Sequence, residues 1–167
     1  ICFFLPFFTH FYKFQHIPTN KYDIFVSENA KVFRGGIIYM NYEINEGTLA
    51  ILAKNKKSLI LEDDKKYVVD SLPFDVVDHS CKYFGSSYEG RKEGTKEILH
   101  INYKVPIIVD NSRNLIFFPT NSPISDDCSW LSLKSIKSIK EGDFNTTDVI
   151  FNNGVSINIP VSKRTID

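Results

Sequence analysis

Short apolar runs separated by polar turns follow one another along most of the chain, and runs of this length predict β-strands. They occupy residues 48–53, 58–61, 67–69, 104–109, 115–118, 148–151 and 155–159. The last six runs form three pairs, each joined by a charged or Asn/Asp-rich turn. The turn Asn152-Asn153-Gly154 is the strongest signal, because Asn-Gly adopts the backbone that tight hairpins require. The pattern therefore predicts three hairpins.

Residues 87–100 give the best helix pattern, with Ser87 as the N-cap. Gly90 and Gly94 each weaken that helix by ~1 kcal/mol. Residues 130–139 are ambiguous, because apolar side chains recur there every third residue and both helix and strand fit. We expect an α+β fold, made mainly of short antiparallel strands and hairpins with one or two short helices.

The composition is that of a soluble globular domain. The chain has 167 residues, of which 43 % are hydrophobic and 24 % are charged, and 20 basic residues balance 20 acidic ones. These values exclude a disordered tail, a collagen-like repeat and a coiled coil. No run of eighteen apolar residues is present, so we expect no membrane span. Three widely spaced cysteines, an odd number, favour a reducing cytoplasm over secretion.

The first 39 residues differ from the rest, because they are rich in Phe and show no clear helix or strand period. Met40 is the only methionine, and the codons of the preceding Arg34-Gly35-Gly36 can form a purine run that resembles a bacterial ribosome-binding sequence. We expect residues 1–39 to be a translated leader or an unstructured aromatic-rich extension, and residues 40–167 to be the domain. The alternative is an N-terminal arm that packs its aromatic side chains on the domain.

The segment between Gly85 and Lys92 approaches a phosphate-binding loop, but Arg91 and Lys92 stand where that loop needs Lys and a hydroxyl. Nucleotide hydrolysis is therefore disfavoured. The same segment suits contacts with a nucleic-acid backbone, since glycines permit close approach while small donors, an aromatic ring and cations lie nearby. The candidate side chains are Ser86, Ser87, Tyr88, Arg91, Lys92 and Thr95. The plainer interpretation is a solvated, glycine-bent turn.

Other motifs that carry chemistry are weaker. His79 and Cys81 could form a nucleophile pair, but a buried structural cysteine is the commoner case. A zinc site from His79, Cys81, His100 and Cys128 lacks any Cys-x-x-Cys spacing. We therefore expect no catalytic residue, no metal and no cofactor.

Two features of residues 130–140 leave alternatives open. Trp130 is interpreted as a core anchor, with stacking on a base as the alternative. Lys134, Lys137 and Lys140 would form one basic stripe on a helix but not on a strand. They are a secondary candidate surface for phosphates.

A longer string of residues resembles the signature of the ComK-type competence transcription factors of low-GC Gram-positive bacteria. It begins with residues 78–95, DHSCKYFGSSYEGRKEGT, and continues with PIIVD at 106–110, FFPT at 117–120, Ser122-Pro123, CSWLS at 128–132, FNNG at 151–154 and IPVS at 159–162. The similarity covers about residues 40–162. Such an ordered string is far more specific than any single motif above.

The resemblance implies a transcriptional activator of genes for DNA uptake and recombination. Members bind paired A/T-rich boxes of double-stranded DNA, mainly through the minor groove and as homo-oligomers, and an adaptor of a Clp-type protease controls their level. We accordingly expect a cytoplasmic, nucleoid-associated protein that is not an enzyme. The expected DNA contacts are Lys82, Ser86, Ser87, Tyr88, Arg91, Lys92 and Thr95, with Arg91 as the side chain that enters the groove.

Local charge supports that expectation, because residues 81–113 carry six basic and four acidic side chains although residues 40–167 have a net charge of −2. The chain departs from the family in stopping at Asp167. We expect it to lack the family's C-terminal region. The alternative function is a protein-interaction module, or a non-functional truncated paralogue, that engages the protease adaptor without binding DNA.

Overall fold

The computed structural model describes residues 30–33, 36–39 and 42–166, with side chains for residues 42–166. The strands are β1 (Ala30–Phe33), β2 (Gly36–Tyr39), β3 (Thr48–Lys54), β4 (Lys57–Glu62), β5 (Lys66–Val69), β6 (Ile107–Asp110), β7 (Leu115–Pro119), β8 (Trp130–Ser132), β9 (Ile136–Glu141), β10 (Thr147–Phe151) and β11 (Ser156–Ile159). The helices are α1 (Pro73–Tyr83), α2 (Tyr88–Leu99) and α3 (Lys163–Ile166), with 3₁₀ turns at Leu133–Ser135 and Asp143–Asn145. The α+β class is confirmed.

The strands form two sheets. The large sheet has eight strands in the order β1-β2-β5-β4-β3-β8-β7-β6, and the small sheet has the order β11-β10-β9. Neighbouring strands are antiparallel except β2 and β5, which run parallel. The predicted leader or extension lies mostly outside the described residues. Its described parts, β1 and β2, pair with each other, and β2 joins the large sheet at β5.

The large sheet separates two apolar cores, because successive side chains of a strand point to opposite faces. Ile60 and Trp130 pack towards α1 and α2, whereas their neighbours Leu61 and Leu131 pack towards the small sheet. The molecule is therefore layered, with α1 and α2, the large sheet and the small sheet in that order, and α3 packs on the side of the small sheet. The helical layer carries most of the predicted contact residues.

Most predicted elements are present. The strand at 48–53, the three hairpins and the helix beginning after Ser87 are confirmed by β3, by β4–β5, β6–β7 and β10–β11, and by α2. The ambiguous segment 130–139 contains two strands joined by a 3₁₀ turn, which separates the three lysines. Lys134 lies in that turn. Lys137 and Lys140 lie on β9 at an odd spacing, so the stripe that a helix would have formed is absent.

Helix α1 was not predicted from the sequence. It begins at Pro73, whose missing N–H costs nothing at the first helical position, and the carboxylate of Asp75 accepts a hydrogen bond from the N–H of Leu72 at 3.3 Å. Val76, Val77 and Cys81 form its buried face. A Pro start followed by apolar residues three and four positions later was a readable signal, which the β-branched valines obscured.

Candidate nucleic-acid interface

The turn that joins α1 to α2 is built by Gly85. Its φ of +76° lies in the left-handed region, which glycine adopts without steric cost. The N–H of Gly85 donates to the carbonyl of Lys82 and the N–H of Ser86 donates to that of Cys81, both at 3.0 Å. These two bonds satisfy the last carbonyls of α1 in a Schellman arrangement. The glycine loop therefore connects two helices, whereas a phosphate-binding loop follows a strand.

The first turn of α2 is held by a cap and by a carboxylate from α1. The hydroxyl of Ser87 accepts a hydrogen bond from the N–H of Gly90 at 3.1 Å, as the N-cap prediction required. Oδ1 of Asp78 accepts one from the N–H of Tyr88, also at 3.1 Å. Burial opposes ionisation of Asp78, but hydrogen bonds from Lys82 and from Tyr88 outweigh it and lower the pKa of the carboxyl. Asp78 is thus an anion that fixes α2 relative to α1.

Two of the seven predicted contact residues lie inside the protein. Tyr88 is 3 % exposed, and its ring packs edge-on against Phe74 and Trp130, with centroid distances of 4.9 and 6.1 Å. Burial raises the pKa of its hydroxyl to about 12. Thr95 is also 3 % exposed, and its hydroxyl donates to the carbonyl of Arg91 at 3.0 Å. Both side chains position α2 and are not available for surface contact in this conformation.

The other five predicted residues are wholly or partly accessible to solvent, and they lie at the end of α1, on the turn and on α2. Lys82 and Ser87 are exposed, and Ser86, Arg91 and Lys92 are partly exposed. Most cations of this region pair with a carboxylate of the same helix or turn. The pairs are Lys82–Asp78 at 2.6 Å, Lys92–Glu89 at 3.1 Å, Lys96–Glu93 at 3.0 Å and Arg113–Asp110 at 3.5 Å.

Arg91 is bound differently, because its Nη2 donates to the backbone carbonyl of Phe84 at 3.2 Å. It forms no ion pair within the described part of the chain, so no carboxylate offsets its charge. Its Nε atom is buried and has no hydrogen-bond partner among the described residues. A buried N–H without a hydrogen-bond partner costs folding free energy. Arg91 therefore has one donor that an acceptor on a bound ligand would satisfy.

Arg91 is also part of a cluster of cations that come from separate segments of the chain. The guanidinium of Arg113, on the turn between β6 and β7, lies 5.4 Å from the ring centre of Phe84. Nζ of Lys134 in turn donates to the carbonyl of Arg113 at 3.4 Å. We call Arg91, Arg113 and Lys134 the basic cluster. Three separate segments supply it. The sequence indicated the positive charge of residues 81–113 and, separately, Lys134 as a secondary candidate for phosphate contact, but not that these residues come together.

The residues considered for catalysis and metal binding lie in surroundings that indicate a structural role. Cys81 is fully buried, and burial raises the pKa of its thiol to about 11. His79 faces Glu43 at 3.3 Å. Within the part of the chain that the structure describes, no three potential ligands come together to hold a metal ion. Trp130 is fully buried, as a core anchor should be, so it is not exposed for base stacking.

Comparison with known proteins gives a consistent picture. The family model described as ComK protein matches residues 39–167. The chain is similar to the competence transcription factor of Bacillus subtilis (strain 168), with 39 % identity over 131 residues, covering 76 % of this chain and 68 % of that protein. No solved structure matches the chain significantly. No helix of the described residues is long and apolar enough to cross a membrane.

Proposed function

Because the chain belongs to the ComK protein family, we propose that it is a competence transcription factor that binds double-stranded DNA and activates genes for DNA uptake and recombination. The basic cluster is its DNA-contacting surface. Lys82, Ser86, Ser87 and Lys92 extend that surface along the turn and the first part of α2. Tyr88 and Thr95 act from inside the protein, by holding α2 in place.

The single observation that carries this proposal is that Arg91 and Arg113 both contact Phe84, while Lys134 contacts Arg113. Cations that are distant in sequence but close in the fold create a local positive field, even though the net charge of the chain is zero. Phosphates of a DNA backbone are the anions that such a surface suits, since contacts to phosphate dominate affinity. A chain with a net charge of zero can bind DNA in this way, because the duplex contacts only the surface on which the positive charges are concentrated.

Recognition of A/T-rich boxes through the minor groove is the finer part of the proposal. A/T-rich tracts have a narrow minor groove with enhanced negative potential, which attracts arginine. Arg91 suits that role because a guanidinium is more weakly hydrated than an ammonium. To enter the groove it gives up one hydrogen bond, to the carbonyl of Phe84, and its unpartnered Nε gains access to acceptors on the DNA.

Removing single cations tests the surface. We expect Arg91→Ala, Arg113→Ala and Lys134→Ala each to weaken binding to an A/T-rich duplex by about tenfold or more, the loss typical of one good contact. Lys54→Ala is the matched control, because it removes one exposed positive charge from the end of β3, outside the cluster. If the three cluster variants bind as tightly as Lys54→Ala, the cluster does not contact DNA.

The partners belong to the proposal as well. We propose that the protein acts in the cytoplasm on chromosomal DNA, as a homo-oligomer on paired boxes. An adaptor of a Clp-type protease is proposed as its regulator by family resemblance alone. A competition assay tests this last point, since the chain should slow degradation of a full-length relative whether or not DNA is present.

A further inference from the structure

Phe144 is a large apolar side chain displayed entirely to solvent, with 100 % of its area exposed. It lies on the 3₁₀ turn between β9 and β10, where its φ of 53° and ψ of 41° fall in the left-handed region that non-glycine residues rarely adopt. The turn is well bonded. The hydroxyl of Thr146 donates to the carbonyl of Asp143 at 2.7 Å, and Nδ2 of Asn158 donates to that hydroxyl at 2.8 Å. A strained residue held by its surroundings is a feature typical of binding sites.

An apolar groove of about 780 Å³ lies beside the small sheet. Large apolar side chains line most of it, from the segment before β6, the end of β7, the 3₁₀ turn at Leu133, and strand β9. They include Ile101, Tyr103, Phe118, Leu133, Ile136 and Ile139. Three of them are exposed to an unusual degree: Tyr103 at 72 %, Leu133 at 52 % and Ile101 at 40 %. Apolar surface concentrated in this way marks an interaction site.

The groove and the Phe144 turn carry opposite charges. Lys104 and Arg164 line the groove, and Arg164 forms no ion pair with any residue that the structure describes. The Phe144 turn is acidic, because Glu141 and Asp143 precede the ring and both are exposed. Their side chains likewise form no ion pair within residues 42–166. An apolar ring flanked by carboxylates is therefore complementary to an apolar groove flanked by cations.

We infer that the groove of one molecule binds Phe144 of a second copy of this chain. The two surfaces are close in sequence and in the sheet, because β9 supplies Ile136 and Ile139 to the groove and then leads into the Phe144 turn. Such a patch suits a two-fold dimer, in which each copy offers its turn to the groove of the other. The inference adds an interface to the homo-oligomer of the proposed function.

A DNA contact for Phe144 is the competing explanation, since apolar side chains of some minor-groove binders wedge between base steps. The charges oppose it, because the carboxylates of Glu141 and Asp143 would approach the phosphates of the duplex. The same carboxylates favour the cationic groove. The second copy is therefore the partner that the observations select.

Sedimentation velocity of the full 167-residue chain, without DNA, tests the dimer. The variants are Phe144→Ala in the turn and Ile101→Glu in the groove. Ile124→Ala is the matched control, because it removes an apolar side chain that is 80 % exposed outside the groove. We expect the wild type and the control to form concentration-dependent dimers. Each test variant should raise the dissociation constant at least ~30-fold, the effect of an interface hot spot.

Mixing Phe144→Ala with Ile101→Glu should restore association in part. The mixed dimer keeps one intact contact, between Phe144 of the groove variant and the groove of the turn variant, whereas neither variant alone keeps any. A wild type that stays monomeric at about 100 µM, where an interface of standard size would assemble, overturns the inference. So does a Phe144→Ala variant that associates like the control, whether or not it loses affinity for DNA. Because association is measured without DNA, these outcomes do not affect the proposal that the basic cluster contacts DNA.

Discussion

The carboxylate of Asp78 on α1 accepts a hydrogen bond from the backbone N–H of Tyr88, the first residue of α2, at 3.1 Å. This bond places a negative charge at the positive end of α2, which stabilises the helix. It also fixes the start of α2, and from this part of the helix the side chain of Arg91 reaches the carbonyl of Phe84. The geometry of the basic cluster therefore depends on a residue that does not contact DNA in our proposal.

The charge of Asp78 should stabilise the fold in a pH-dependent way. We expect Asp78→Asn to lower the free energy of unfolding by about 1 kcal/mol at pH 7, because a neutral amide oxygen accepts a weaker hydrogen bond than a carboxylate. The folded-state pKa of Asp78 is lowered, so its contribution is complete above its unfolded pKa, near pH 4, and is lost as the pH falls through the folded pKa.

Urea denaturation between pH 2 and pH 7 checks this, with the fluorescence of Trp130 as the probe. Asp126→Asn is the control, because Asp126 is exposed. The gap in stability between wild type and Asp78→Asn should close at low pH. A gap that persists unchanged at the acidic end would show that the charge of Asp78 is not its source.

Gly85 and Gly94 should respond in opposite ways to the same substitution. An added Cβ meets nothing within 4 Å at either position, so sterics with neighbours do not decide the outcome. Gly85 has a φ of +76°, and Gly85→Ala should cost about 1–2 kcal/mol from backbone strain. Gly94 is exposed within α2, and Gly94→Ala should add about 0.5–1 kcal/mol by reducing the freedom of the unfolded chain.

Thermal unfolding measures both variants. We expect a lower midpoint for Gly85→Ala and a higher one for Gly94→Ala than for the wild type. Equal and small shifts of the same sign would contradict the conformational role assigned to Gly85.

The buried cysteines should react slowly. Burial raises the pKa of the Cys81 thiol to about 11 and also raises that of Cys128, so little thiolate is present at pH 8. We expect a disulfide reagent to label a Cys2→Ser variant only as fast as the protein unfolds, with full labelling in denaturant. Rapid labelling of Cys81 under native conditions would revive the nucleophile hypothesis.

Turn chemistry and strand periodicity made most of the fold predictable. Asn152-Asn153-Gly154 and the polar turns located the hairpins, and Ser87 located the start of α2 to the residue. Helix α1 was missed because Val76 and Val77 resemble a strand, and the helix is stabilised by burial of one face against the sheet. The hydrophobic periodicity of a segment does not show which other element of the fold will pack against its apolar face.

The candidate site was predictable only in part, for a related reason. Residues 82–95 were identified by local chemistry, but their burial depends on packing, and Tyr88 and Thr95 turn inward. Arg113 and Lys134 join Arg91 through contacts with Phe84 and with each other, between segments far apart in sequence. The sequence shows that these residues are positively charged, but it does not indicate that they lie close together in the fold.

The most direct test of the account is fluorescence anisotropy of the full chain on two short duplexes across a salt series. One duplex carries paired A-tract and T-tract boxes, and the other is a G/C-rich control. We predict at least about tenfold tighter binding to the A/T duplex, since each unfavourable base pair costs ~1–3 kcal/mol. The log–log salt slope should be about −0.9 for each phosphate that a cation neutralises. Equal, weak binding to both duplexes would contradict the proposal that this chain reads A/T-rich DNA through the basic cluster.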